Sequence, residues 1–446
     1  MQSPTRTDLV ANGSERSSRR DDVVPDNNGA GATLVKVYPV RADAPATAGR
    51  GISVSMLTGG QDRHYSYGLA QGLIGRGVRL DFVGSDELDG PELHNTPMIR
   101  FLNLRGSQKR SARLTEKVRR VVVFYGRLIA YAATARTDVF HILWNNKVET
   151  FDRTLLMLYY RACGRKVVLT AHNVNSGRRD SKDTFLNRLT LKTQYRLCDR
   201  IFVHTDKMRQ ELIGEFGVAE TAVTVIPYGI NNAVPNTSLT SADAKKHFGI
   251  DPGDKTLLAF GNIGPYKGLE YLAAAFDQLL AKDPSYRLLV AGTPKPGASA
   301  YWQQVAKRLE PHIRNGRVLL NIRYIPDCET ELFFKAADLL VLPYRDIFQS
   351  GVLFCGYSFG LPVVVTDVGS LRQDVVEGQT GFVCKPEDPR DIAAAIERYF
   401  SSELFRNLPA GRRDIKAFVE ARHSWDTVAA ITRDVYASVS GIPTNV

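Results

Sequence analysis

Cysteine is scarce. The chain has five in 446 residues, and Cys163, Cys198, Cys328, Cys355 and Cys384 are odd in number and widely spaced. No Cys-x-x-Cys pair and no Cys/His ligand cluster occurs. That argues against a disulfide framework and a structural zinc site, and a reducing cytosol is the simplest home. Long apolar runs are missing too: none reaches the ~18 residues a membrane span needs. The N-terminus carries no hydrophobic signal core, so any membrane role would be peripheral. Neither Gly-Lys-Ser/Thr of a P-loop nor Gly-x-Gly-x-x-Gly of a dinucleotide site is present. The second absence argues against a nicotinamide-dependent dehydrogenase.

Length and charge supply positive information. A chain of 446 residues is too long for one ordinary core and fits two domains. Hydrophobic residues make up 43% and charged residues 24%, the balance of a globular protein. Lys and Arg outnumber Asp and Glu 58 to 47, leaving a net charge of +11. Such an excess favours an anionic partner: nucleotide phosphate, anionic lipid or nucleic acid. Nucleic acid has only the charge in its favour, because no zinc finger or aromatic RNA-binding signature accompanies it.

Residues 1–48 are rich in Ser, Asn, Asp, Arg and Gly and read as a disordered tail. Strand-like apolar runs then alternate with helical spacing. In the first half they are GISVSML (Gly51 to Leu57), VRLDFVG (Val78 to Gly84), DVFHILW (Asp138 to Trp144), KVVLTAH (Lys166 to His172), RIFVHT (Arg200 to Thr205) and AVTVIPYG (Ala222 to Gly229). Residues 231–240 are polar and turn-rich, as a linker is. The alternation resumes with TLLAFG (Thr256 to Gly261), YRLLVAG (Tyr286 to Gly292), RVLLNI (Arg317 to Ile322), LLVLPY (Leu339 to Tyr344) and PVVVTD (Pro362 to Asp367). Helices are predicted near 268–281, 300–313, 329–337, 351–359, 390–400 and 425–440. Apolar strands alternating with helices predict parallel sheets covered on both faces. The architecture is therefore α/β, with two doubly wound sheets and ligands at the carboxyl ends of the strands. The expected divisions are 1–48, 49–232, 233–420 and 421–446.

Several loops have the composition of ligand sites. GNIGPYKG (Gly261 to Gly268) leaves a strand and enters a helix. Gly261 and Gly264 permit close backbone approach, the helix N-terminus favours a phosphate, and Asn262 and Lys267 complete the loop. The plain alternative is a strand–helix turn with a surface lysine. In Gln349-Ser350-Gly351, Ser350 is a good N-cap and Gly351 again allows close approach; an ordinary capped core helix is the alternative. Gly59-Gly60 close the first strand. His172 sits at the carboxyl end of another, with His64 and Asn173 as weaker candidates of the same kind. Glu377 follows a later strand and reads either as a sugar or ribose ligand or as a surface glutamate. No Asp-x-Asp metal motif is seen.

Residues 105–120 carry Arg105, Lys109, Arg110, Arg113, Lys117, Arg119 and Arg120 against Glu116 alone. With Leu114, Val118, Val121, Val122, Tyr125 and Leu128 at helical spacing, 105–128 reads as one basic amphipathic helix. It suits an anionic membrane surface, or it packs on a core and solvates its basic face.

In order and spacing these signposts resemble the GT-B glycosyltransferases, specifically the large family 4 of retaining enzymes. The resemblance covers most of residues 50–440. It rests on Gly59-Gly60, the Thr-Ala-His strand end at His172, VIPYGI (Val225 to Ile230) and FGNIGPYKG with Lys267. IPDCETELFFKAADLLVLPY (Ile325 to Tyr344), FGLPVVVTDVGSLRQDVVEGQTGFV (Phe359 to Val383) and a trailing helix after Ser424-Trp425 extend it. It implies two facing Rossmann-like domains with a cleft between them and a last helix crossing back. It also implies an acceptor-binding first domain, with Gly59, Gly60, His64 and Asn173 on the acceptor side, and a donor domain that uses Gly261, Asn262, Gly264, Lys267, Ser350, Gly351 and Glu377. His172 and Lys267 are the implied catalytic residues. The donor would be a UDP- or GDP-linked sugar with no further cofactor and no metal. The acceptor would be a glycan or lipid-linked molecule of exopolysaccharide or cell-envelope assembly, reached from the cytoplasm or the inner membrane face.

The chain departs from the family at three points. The family's two glutamates, seven residues apart, fall here at Ile347 and Cys355; the second normally binds the donor ribose and the first lies near the donor sugar. The arginine that follows the first loop glycine is Asn262. Branches of the family resembling this chain carry Gln-Ser-Gly near the first glutamate, and Asp346 is a stand-in by adjacency. A catalytically degenerate nucleotide-sugar binding protein is the alternative reading. A GT-B epimerase would need a pair of acid/base carboxylates, and no convincing pair is placed.

Overall fold

Buried strands of Val, Leu, Ile and Phe form the frame of the molecule. In the computed structural model, which describes residues 51–60, 62–108, 113–179, 183–230 and 234–442, thirteen strands make two sheets. The expected tail, 1–48, lies outside the described residues. The first sheet contains β1 (Ser53–Leu57), β2 (Arg79–Gly84), β3 (Ile99–Asn103), β4 (Val139–Ile142), β5 (Lys166–Thr170), β6 (Arg200–Val203) and β7 (Val223–Val225). The second contains β8 (Lys255–Phe260), β9 (Tyr286–Ala291), β10 (Val318–Asn321), β11 (Leu339–Leu342), β12 (Val363–Thr366) and β13 (Gly381–Cys384).

All strand pairs are parallel, in the orders β3-β2-β1-β4-β5-β6-β7 and β10-β9-β8-β11-β12-β13. Helices cover both faces of a parallel sheet, so its strands lose the usual polar alternation. Val167, Val168 and Leu169 are all buried, as are Val363, Val364 and Val365. The strand order reverses between β1 and β4 and again between β8 and β11. Such switch points open a crevice at the carboxyl ends of the strands, and every loop singled out above except the Glu377 turn leaves such an end.

All eleven apolar runs contain a strand. Two strands were not anticipated, and both lie at sheet edges. β3 is only partly buried and carries Arg100, whose guanidinium pairs with Asp81 on β2. β13 opens on Gly381, where a Cβ would stand 2.1 Å from the Val363 carbonyl oxygen.

The basic segment needs a correction. The helix runs Leu114–Thr134 and does not include Arg105. Gly106 turns the chain at φ +68°, and Arg105 is buried in the loop, donating to the Gly59 carbonyl. Lys109 and Arg110 lie outside the described residues. Phe124, Leu128 and Ala132 face the core, while Leu114, Val118 and Val122 are exposed at 76%, 55% and 65%. Only the later turns pack as a core helix.

Near the end, helix Leu408–His423 packs on helix Gly351–Ser358 beside the second sheet. Ser424 caps the next helix, Trp425–Ser440, by accepting from the Thr427 N–H at 3.2 Å. That last helix lies on helix Arg63–Ile74 of the first sheet's layer. Its anchor is Trp425. A Cβ on Gly68 or Gly229 would stand 2.0 and 2.3 Å from the indole, so these two glycines make the slot that receives it.

Candidate active site

Four successive strand ends of the first sheet each contribute a ring. Trp144 follows β4, His172 follows β5, His204 follows β6 and Tyr228 follows β7. His172 stacks on Trp144 with centroids 4.3 Å apart and planes 8° apart, and it meets the edge of Tyr65 at 4.6 Å. The sequence reading found only His172 of this group. The signal for the rest was an aromatic or imidazole ring at the carboxyl end of each of these four apolar runs, one to three residues past the strand itself.

Hydrogen bonding sets the tautomers. His204 Nδ1 lies 3.3 Å from the Ile226 carbonyl oxygen, an acceptor only, so Nδ1 carries the proton. Its Nε2 is then a lone pair 3.1 Å from His172 Nδ1, and His172 donates to it. The remaining nitrogen, His172 Nε2, is left as a buried lone pair without a protein partner. Burial drives His204 down to about 4 and His172 well below the ordinary histidine range, with the neighbouring histidines His204 and His141 adding to the latter. Both rings are neutral at pH 7. The pair therefore presents a fixed, uncharged hydrogen-bond acceptor at a strand end.

The second sheet contributes charge. Helix Leu269–Lys282 does not begin directly at the glycine loop: a 3-10 turn, Pro265–Lys267, and the left-handed Gly268 intervene. A Cβ on Gly268 would stand 2.0 Å from the Pro343 carbonyl oxygen. This glycine lets the β8 loop touch the β11 loop, and the Arg345 N–H donates to the Tyr266 carbonyl at 2.9 Å. Lys267, only 7% exposed, donates to Tyr344 Oη and lies 3.9 Å from the centre of its ring. Tyr344 Oη is 3.4 Å from Ser350 Oγ. Burial raises the Tyr344 phenol, which stays protonated. Ser350 caps helix Gly351–Ser358 by accepting from the Leu353 N–H at 3.3 Å. Lys267, Tyr344 and Ser350 thus form one polar cluster at the ends of β8 and β11.

Tyr228 joins the two halves. It stacks on Phe354 at 5.4 Å, meets His204 at 5.0 Å and His172 at 6.5 Å, and its Oη lies 3.4 Å from where a Gly351 Cβ would be. A second bridge is His64 Nε2 to Asp327 Oδ2, 3.2 Å apart.

Two family models match the chain: "Glycosyltransferase Family 4" over residues 58–234 and "Glycosyl transferases group 1" over residues 254–402. The chain belongs to glycosyltransferase family 4. Its two facing parallel sheets are the GT-B fold. A D-inositol 3-phosphate glycosyltransferase of Streptomyces bingchenggensis is 30% identical over 245 residues, 54% of this chain and 53% of that protein. The chain spans about half the length of this and two further curated relatives that it matches. Sucrose-phosphate synthase from Thermosynechococcus elongatus superposes with a TM-score of 0.68 at 18% identity, over 88% of this chain and 100% of that one. HepE of Anabaena, in complex with UDP and glucose, gives 0.65 at 15% identity, over 87% and 100%. At these identities the likeness is one of fold.

Within this family 4 chain the anticipated residues fall into four groups. Lys267 and Ser350 meet through Tyr344, while Gly261 and Gly351 border that cluster. Gly261 is left-handed at φ +99°; Gly264 is extended, and Asn262 is exposed. Gly59 and Gly60 are left-handed, and a Cβ on Gly59 would stand 2.8 Å from the Trp144 carbonyl oxygen. They make room for protein as well as for any ligand. His64 faces Asp327 across the cleft, and Asn173 is half-buried beside His172. Glu377 accepts from the Val383 N–H at 3.1 Å, lies 3.7 Å from Arg398 and bridges to Gly381, the first residue of the edge strand β13.

The departures are visible as well. Cys355 is buried, Asp346 is exposed, and the Ile347 carbonyl packs against left-handed Gly369. Among the described residues no three His, Cys, Asp or Glu side chains gather as a metal site, and no helix is long and apolar enough to cross a membrane. The five cysteines are free thiols.

Proposed function

We propose that this chain is a retaining glycosyltransferase that moves a hexose from a UDP- or GDP-linked donor to a glycan or lipid-linked acceptor. The observation that carries the reading is the buried Lys267–Tyr344–Ser350 cluster, joined through Gly351 and Tyr228 to the bare Nε2 of His172. Lys267 and the backbone at Gly351 suit a departing diphosphate. Fixed positive charge there lowers the barrier without needing to reorganise. His172 Nε2 suits a donor-sugar hydroxyl, which would give it a hydrogen bond.

In the proposed step the bond from the anomeric carbon to the diphosphate oxygen breaks. The acceptor oxygen bonds to that carbon from the same face, and its proton passes to the leaving phosphate oxygen. The protein holds the partners in place and stabilises charge, which accounts for how few acids and bases stand out. A charge-fixing lysine supports metal-independent transfer. Exopolysaccharide or cell-envelope glycan synthesis on the cytoplasmic side, with peripheral contact to an anionic membrane, completes the reading. Free cysteines and the basic helix support that setting.

Ile347 and Cys355 favour one competitor, a protein that binds a nucleotide sugar without turning it over. Thermal shift with UDP, GDP, ADP and NAD, each without metal, followed by transfer assays with the matching sugars, separates the two. A shift with one diphosphate and sugar transfer supports the enzyme. A shift without transfer supports the binding protein, and no shift with any diphosphate overturns both.

A further inference from the structure

The loop that follows β9 is laced to the glycine loop that follows β8. The Ile263 N–H donates to the Thr293 carbonyl, and the Lys295 N–H donates back to the Ile263 carbonyl, both at 2.9 Å. Ile263 and Pro294 thus pair as a parallel bridge beyond the ends of their strands. Gly292 permits the approach: its φ is +146°, and a Cβ there would stand 1.8 Å from the Gly261 carbonyl oxygen. The lacing fixes the backbone of Lys295 beside Gly264. A Cβ on Gly264 would stand 3.2 Å from the Tyr266 ring and 4.0 Å from Lys295 Cδ. Lys295 Nζ lies 4.4 Å from the centre of the Tyr266 ring, and Lys267 Nζ lies 5.6 Å from the same centre. One half-buried tyrosine therefore gathers two ammonium groups at the carboxyl edge of the second sheet.

Like charges gathered in this way repel, and an anion lying between them relieves the penalty. A diphosphate is the fitting anion. Each of its phosphates carries negative charge, and one lysine balances only part of it. The other polar groups on these loops do not supply the balance. Asn262, after the first loop glycine, is neutral and exposed. Arg345 also borders Tyr266, through its N–H to the Tyr266 carbonyl, but its guanidinium faces the carboxylates of Glu270 and Glu387 at 3.8 and 3.3 Å. Lys295 is half-buried, with its backbone tied and its ammonium over an aromatic face. A cation held like this meets a ligand with little reorganisation.

We propose that Lys295 is the second cation of the diphosphate site, binding the leaving group together with Lys267 and stabilising its charge as the bond to the anomeric carbon breaks. The inference rests on the transferase reading and adds a residue to it. The test is metal-free titration of the full chain with UDP, GDP and the nucleosides uridine and guanosine. Lys295→Met and Lys295→Gln both remove the charge and keep a stem of similar length; Lys295→Arg keeps the charge. Met and Gln should each weaken the diphosphate that the wild type binds by roughly ten- to a hundred-fold, and Arg by far less. Affinity for the matching nucleoside should stay unchanged in all three, which also shows that the variants are folded. Diphosphate affinity that survives Lys295→Met and Lys295→Gln overturns the proposal and leaves the transferase reading standing. Equal losses for diphosphate and nucleoside overturn it as well, since Lys295 would then only shape the loop. A wild type that binds neither UDP nor GDP removes the transferase reading and this inference with it.

Discussion

His172 lies flat on Trp144, 4.3 Å between centroids, with one nitrogen spent on His204 and the other buried without a protein partner. Stacking and hydrogen bonding can be separated by substitution. Phe in place of His172 keeps a ring on Trp144 but offers no acceptor. A lost hydrogen bond to a substrate hydroxyl in a buried site costs about 1–3 kcal/mol. His172→Phe should therefore lower kcat/KM by roughly ten- to a hundred-fold while circular dichroism stays native. Unchanged kcat/KM would remove His172 from the site.

Acid should unfold this protein early. Burial holds His141 near about 3 and His204 near about 4, whereas in the unfolded chain each titrates near 6.5. Below that pH the unfolded chain binds protons that the folded chain refuses. The contribution of these neutral histidines is fully present above about pH 6.5 and is lost as pH falls from there toward 4. Each adds a slope of up to about 1.4 kcal/mol per pH unit. His141 also ties the last helix to the sheet, bonding Tyr436 Oη at 2.5 Å and Thr170 Oγ1 at 2.8 Å. Urea unfolding at pH 7.5 and 5.0 should show a clear drop in midpoint; equal midpoints would refute the assignment.

The fold was legible wherever one rule dominated. Buried parallel strands are continuous apolar runs, and all eleven such runs proved to hold strands. Arg100 on β3 and Gly381 on β13 broke that rule, since edge strands tolerate polar and small residues. Lys267 and Ser350 were legible from loop chemistry. Their joining through Tyr344 was not, because it depends on Gly268 letting two distant loops touch. The role of His204 was hidden for a similar reason: it comes from a neighbour 32 residues away in sequence. The basic helix misled in its start because Arg105 is drawn into the glycine turn, an attraction that helical spacing does not encode.

Removal of Lys267 should hurt turnover more than stability. Its ammonium is buried against Tyr344 in a loop, and the charge suits a leaving diphosphate. Loss of one fixed electrostatic group of this kind typically costs about 10²–10³ in kcat. Lys267→Ala should show that loss, and Tyr344→Phe, which keeps the ring but not the hydroxyl, a smaller one. A Lys267→Ala enzyme with near-normal turnover would sink the role.

The closing helix gives a paired test on stability. At Gly68 a Cβ would stand 2.0 Å from the Trp425 indole, inside the helix that carries Tyr65. The indole is hemmed in as well by Gly229 at 2.3 Å, so it has little room to retreat. Gly68→Ala should therefore destabilise by about 1–3 kcal/mol as overpacking does, and by more if Trp425 is expelled from its slot. Gly214 is also helical, within Asp206–Phe216, but a Cβ there meets nothing within 4 Å. Gly214→Ala should gain up to about 1 kcal/mol from helix propensity alone. Opposite shifts in melting temperature from the same chemical change are the expected result. A stabilising Gly68→Ala would mean that Trp425 does not occupy this slot, and that the last helix is not anchored behind Tyr65 and His172.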